Sequence, residues 1–271
     1  MSLAVVTFFY ILAGAAFITY LFWRKPSVIL AARALFAASI ASHLLFIISL
    51  AWQGDHLPLL SPVQAANMMI FLSSLVFVVF AFRKATAVLG AFFLPAASFC
   101  LGLIAPSLQA DQGAPLAAAR IWYPLHTLTV IGGEALFAVA FVASVVYLLH
   151  DSVIRKGRIH STASHLPPLK ILDRILSACL SFGFVAITAG MIFGTLWASS
   201  LSVSFAHLTT KASAGAVTWL VFAFSLHQRF AIGWAGRRTA IITIIGFILM
   251  ILLFVTLNVL FPDAHGIGLT Q

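Results

Sequence analysis

An all-α bundle crossing a membrane about eight times is the fold class the sequence predicts, and three observations predict it. Of 271 residues, 62% are hydrophobic and only 8% charged, whereas a water-soluble domain carries about a quarter of its residues charged. Apolar runs of the ~20 residues that span a bilayer recur along the whole chain. The basic residues gather in alternate connections between those runs, which is the signature of membrane orientation. One integral membrane domain over 1–271 follows, with the bilayer as its solvent.

The first run covers 2–22 and ends in Trp23, Arg24, Lys25 and Pro26, an interfacial belt. It has no basic stretch before it and no small-residue cleavage site, so it reads as a retained helix. A second helix is expected over 28–52, with Arg33 near its start and His43 in its second half, followed by a proline-bearing loop. The third, 63–82, ends at Arg83 and Lys84, and the fourth, 86–104, follows after a tight turn. A loop over 106–119 leads to the fifth helix at Trp122. Its Pro124 lies in the first turn, where a missing N–H costs little. That helix carries His126 at its mouth and Glu134 two turns in, and ends near His150. After the longest polar loop, the sixth helix is expected over 172–197. A loop at 199–211 precedes the seventh, 212–230, and the basic turn at 231–238 precedes the eighth, 239–261.

Of the 15 Lys and Arg, all but Arg120 and Lys211 lie at the ends reached after helices one, three, five and seven. The positive-inside rule puts that side in the cytoplasm and both termini outside it. His126, Trp197, His207 and His265 then fall at the outer face, and His227 toward the inner end of the seventh helix. The net charge of +9 is a topology signal. It gives no reason to expect nucleic acid as a partner. Cys100 and Cys179 form neither a CxxC pair nor a CxxCH sequence, which excludes thiol redox chemistry and covalent haem attachment as expectations.

Ionisable groups in a span tend to face the bundle interior and mark ligand or proton sites. His126 and His265 lie level with Trp197, so a flat apolar ligand fits between two imidazoles. Haem iron accepts two neutral histidines, and its macrocycle wants aromatic and aliphatic walls. Zinc is a poorer match, because no closely spaced Cys and His pattern exists. Glu134 reads either as a proton relay or as a buried acid paired with a neighbouring helix. It lies about 80° round the helix from His126, so direct contact is not expected. His43 reads equally as a ligand or as a residue bonded to a neighbouring helix, and His227 as a ligand or an interfacial residue. His150, His160 and His165 belong to the cytoplasmic loop, and Trp197, Trp219 and Trp234 also suit a membrane belt.

The stretches GMIFGTLWAS, TWLVFAFSLHQRFAIGWAGRR and FPDAHGIG resemble the membrane proteins of cytochrome c assembly, the CcsA/CcmC group, and within it the eight-helix HemX-like and YpjD-like members. The likeness is clearest over 124–268. It implies that His126, in WYPLHTL, is the family's first external histidine and His265 the second, the two axial ligands of haem iron. It also implies that His227 is the histidine of the helix after the family's tryptophan-rich segment. Where that segment is dense in Trp and ends in an acid, this chain has SSLSVSFAHLTTKAS, leaving Trp197 and Phe205 as aromatics.

The resemblance therefore implies a non-enzymatic haem-handling protein of the bacterial cytoplasmic membrane, involved in cytochrome c-type biogenesis. Haem b would be held non-covalently by His126, His265, Trp197, Phe205, His227 and His43. Its partners would be other assembly membrane proteins or a haem-synthesis protein. The alternatives are an accessory or regulatory membrane protein without haem, and a small proton-coupled transporter using Glu134 and His43.

Overall fold

The computed structural model describes residues 2–54, 58–59, 61–110, 121–157, 165–200 and 205–260, with the backbone alone at 109–110, 205–211 and 258–260. Among them the chain forms eight α-helices: α1 (Leu3–Trp23), α2 (Pro26–Gly54), α3 (Pro62–Ala81), α4 (Gly90–Ala110), α5 (Trp122–Arg155), α6 (Leu169–Ser200), α7 (Phe205–Ala231) and α8 (Arg237–Leu260). A single 3-10 turn over Ala87–Leu89 leads into α4. Seven of the helices are long and apolar enough to cross a membrane, and the protein is a polytopic membrane bundle of helices.

The caps explain several boundaries. Ser61 accepts a hydrogen bond from the Gln64 N–H at 3.1 Å and Pro62 opens α3, satisfying one of the four orphan donors of a helix start. Helix α1 stops at Arg24, the one non-glycine residue with positive φ among the described residues. Its guanidinium donates to the Tyr20 hydroxyl and to the His165 carbonyl. His165 in turn donates from Nδ1 to the Leu21 carbonyl at 2.8 Å, so the loop before α6 closes the inner end of α1.

Two expectations about loops are corrected. The connection expected at 199–211 is helical on both sides: α6 runs on to Ser200 and α7 begins at Phe205. The polar letters of that stretch break the hydropathy, but it contains no Pro and no Gly before Gly215, so nothing in it opposes helix. Likewise α4 continues through Pro106 to Ala110, since a membrane helix tolerates the N–H that a proline removes.

The helices form two groups. Helices α1, α2 and α4 pack together, α5 and α6 make the most extensive pairing, α8 lies against α5, and α3 bridges the halves by packing on α5. At the inner end, ion pairs pin α6 to α7 and α5 to α8. Asp173 receives both terminal nitrogens of Arg229, at 3.0 and 2.7 Å, and the Gly236 N–H at 2.8 Å. Asp151 receives Arg155 at 2.9 Å and Arg237 at 3.0 Å. Gly236 has φ 63°, and a Cβ there would come 2.4 Å from the Tyr147 hydroxyl, so the α7–α8 turn requires glycine.

Candidate functional site at the outer end of the α5–α6 seam

Helices α5 and α6 are 34 and 32 residues long, about 50 Å each at 1.5 Å per residue. They outreach a hydrocarbon core of ~30 Å, so their outer turns stand at the interface. What holds them in register is glycine. Gly183, Gly190 and Gly194 follow one face of α6, with Gly133 opposite on α5. A Cβ on Gly133 would lie 2.9 Å from the Gly183 carbonyl oxygen, and one on Gly183 would lie 2.6 Å from the Phe137 ring. Small residues let membrane helices approach to backbone contact, where dispersion and weak polar contacts replace the hydrophobic drive that lipid cannot supply.

The same close approach builds the site. His126, in the first turns of α5, donates from Nδ1 to the Gly190 carbonyl at 2.7 Å. A carbonyl acceptor fixes the proton on Nδ1, so Nε2 keeps its lone pair. Among the described residues nothing occupies Nε2. Gly194 makes room for the ring, because a Cβ there would come 2.7 Å from Nδ1. Trp197, 8% exposed, lies nearly parallel to the imidazole at 18°, with centroids 6.4 Å apart. Tyr123 packs on Trp197 at 5.0 Å and donates to the Leu59 carbonyl at 2.9 Å. Trp122 stacks on Phe193 at 6.2 Å. The result is a histidine with one nitrogen anchored and one basic, walled by aromatics.

The structure brings together His126 and Trp197 of the residues expected at the site. His43 lies elsewhere, fully buried between α1 and α3, with Nδ1 3.1 Å from the Tyr10 hydroxyl and Nε2 3.1 Å from Asn67 Oδ1. His227 is exposed near the inner end of α7, far along the bundle from His126. His265 lies outside the described residues, and of Phe205 the backbone alone is described, at the start of α7. Glu134 lies within about 20° of Phe141 round α5, and Phe141 stacks on Phe247 of α8. The partner of His126 is Gly190, not Glu134. Trp219 donates to Thr188 Oγ1 at 2.9 Å, tying α7 to α6, and Trp234 lies under the Arg238 guanidinium. Among the described residues no three of His, Cys, Asp and Glu converge as a metal-ion cage.

Sequence reasoning missed Tyr123, Trp122, Phe193, Gly190 and Gly194 as parts of this arrangement. The signal for the glycines was the small-xxx-small spacing of GMIFG. For the aromatics no signal existed beyond their place at the interface.

The sequence profile of the cytochrome C assembly protein family matches residues 27–265. The chain belongs to that family. It is 23% identical over 242 residues to the cytochrome c biogenesis protein CcsA of Synechococcus sp. (strain CC9605), covering 80% of each chain. To the CcsA of Mesostigma viride it is 33% identical over 99 residues, 36% of this chain and 32% of that protein. To a CcsA of Prochlorococcus marinus it is 26% identical over 194 residues, 63% of this chain and 61% of that protein. The match thus spans from about a third to four fifths of these relatives.

Proposed function

We propose that this family member is a haem-binding protein of the bacterial cytoplasmic membrane that serves cytochrome c-type biogenesis, as the names of its relatives suggest. The observation that carries the reading is the His126–Gly190 hydrogen bond at 2.7 Å. It is the arrangement by which proteins orient a metal-binding imidazole and raise its basicity. The residues fit haem on two further grounds. The Gly194 cradle would be filled by any Cβ, and Trp197, stacked on the imidazole at 18°, holds the ring's orientation and gives the site an apolar aromatic flank.

His126 would hold the iron through Nε2 and His265 would supply the second imidazole, with Trp197 and Phe205 as aromatic neighbours. Gly190 keeps the His126 ring from rotating, and Tyr123 keeps Trp197 in place through its bond to Leu59. Bound there, haem would be a bis-histidine b-type group, available for one-electron exchange and non-covalent transfer. The chain's own part is binding and orientation, without bond-making chemistry. His43 and His227 stand apart from this centre and are not included in it. Other assembly membrane proteins, or a protein of haem synthesis, would be its partners.

The test is the reduced-minus-oxidised spectrum of protein purified in mild detergent, with a pyridine haemochrome assay for stoichiometry. Stoichiometric b-type haem, lost in the His126→Ala/His265→Ala double variant, is expected. Haem that persists in that variant would refute the ligand assignment.

A second reading draws on the stretch 198–215, which is helical from Phe205 and has Phe205 as its one aromatic. With no tryptophan platform, an accessory protein of the HemX-like or YpjD-like kind would act on a protein partner without haem. Purified protein that takes up no haem even from added hemin would favour it.

A further inference from the structure

A second histidine centre lies in the α1–α3 group, and its hydrogen bonds can be counted proton by proton. Tyr10, His43 and Ser74 are 0% exposed and Asn67 is 1% exposed. Ser74 donates to the Ile70 carbonyl at 2.8 Å, so toward Tyr10 it can only accept. The Tyr10 hydroxyl therefore donates to Ser74 Oγ, at 2.7 Å. With its one proton spent, the Tyr10 oxygen can only accept from His43 Nδ1 at 3.1 Å, and Nδ1 must carry a proton. A neutral imidazole then has a bare lone pair at Nε2. What faces it at 3.1 Å is Asn67 Oδ1, another acceptor, while Asn67 Nδ2 is buried without a partner.

Two arrangements remove the conflict while the backbone and the other side chains stay in place. In one, His43 is neutral and the Asn67 amide is turned by half a rotation, so that its NH2 donates to Nε2. Amide oxygen and nitrogen have nearly the same shape, so the pocket accepts either. In the other, His43 carries a second proton and the amide oxygen accepts it. Each state pairs a donor with an acceptor at every contact from the Asn67–His43 bond to Ile70, with the second amide atom of Asn67 outside that chain in both, and they differ by one proton and one amide rotation.

We infer that Tyr10, His43, Asn67 and Ser74 form a one-proton binding site inside the membrane, in which rotation of the Asn67 amide accompanies protonation of His43. The ligand is the proton itself. No charged side chain of α1, α2 or α3 faces the ring, since Arg33 donates to the carbonyls of Ala81 and Phe82 at the other end of α2. From the side of α5, Ile131 packs with Phe71, against which the His43 ring lies at 5.2 Å. Glu134 falls on the part of α5 shared with Phe141, toward α8. Among the described residues Tyr10 is thus the one other titratable group at the centre. The site shares no residue with the proposed haem centre and stands whether or not haem binds.

The experiment is solid-state NMR of the full chain in lipid bilayers, with 15N-histidine and 13C-asparagine. Asn67 and Asn258 are the chain's asparagines, so the His43 ring is identified by its contact with the Asn67 side chain. At neutral pH the expected ring is the Nδ1–H tautomer, the less populated form in water, and acidification should convert it to the doubly protonated form with helix content retained. Asn67→Asp, whose ionised carboxylate can only accept, should hold the doubly protonated form to higher pH than the wild type does. Asn67→Leu should abolish the conversion. A neutral ring protonated on Nε2, or a wild-type ring that never gains the second proton before the helices melt, would overturn the proposal. The wild-type measurement decides the matter even if neither variant folds.

Discussion

His126 and His43 are both imidazoles on membrane helices, and the difference between them is what each ring nitrogen meets. In the α5–α6 seam the partner of His126 is a backbone carbonyl exposed by missing side chains, which takes one nitrogen and leaves the other. In the α1–α3 group His43 meets side chains on both sides, from Tyr10 and Asn67. Burial of a polar group is costly unless its bonds are made, and each ring is held by that rule in a different way. One meets it with a single anchor at the interface, the other with a closed network. An anchored ring with a basic nitrogen suits a ligand, and a closed network suits a proton.

Variants can break this contrast from either side. The largest effect is expected from Gly183→Leu, because its Cβ would come 2.6 Å from the Phe137 ring and 3.1 Å from the Gly133 carbonyl oxygen. Separating α5 from α6 should cost about 3 kcal/mol or more, above the usual range for overpacking, and be read as loss of monodisperse protein on size-exclusion chromatography. Next comes Tyr10→Phe, which leaves His43 and Ser74 short of a partner. It should lower stability by about 1–3 kcal/mol in thermal melts followed by circular dichroism, with the haem spectrum of the outer site unchanged. A changed spectrum there would show that the two centres are not separate.

Gly194→Ala is the sharper probe of the seam. Its methyl would sit 2.7 Å from His126 Nδ1, so it should displace the imidazole and diminish the low-spin haem spectrum while costing only about 1 kcal/mol in stability. Gly132→Ala supplies the control, since nothing lies within 4 Å of its Cβ. It should leave the spectrum intact and, by removing backbone freedom in mid-helix, raise stability by up to ~1 kcal/mol. Equal loss of spectrum in both variants would mean that the cradle is not specific.

The number and order of the helices were legible because hydropathy and caps are properties of a segment by itself. Where those signals weakened, the reading erred in detail. The polar run at 199–211 looked like a loop, yet α7 starts at Phe205, because polarity does not oppose helix as Pro or Gly does. His126 and Trp197 were found because each sits at a predicted helix end on the same side. Tyr123 was not, since its role depends on Leu59 and Trp197. His43 was open between ligand and bonded residue, and nothing in its own helix could decide the question.

By itself the sequence determined a multi-helix membrane bundle, the side on which its basic loops lie and the histidines worth testing, all from composition, spacing and charge. The tertiary structure alone decided which nitrogen of which histidine is held. The partners of His43 stand 33 and 24 positions away, and that of His126 stands 64 positions away. A ring nitrogen's state is set by the atom about 3 Å from it, and in a bundle that atom belongs to another helix.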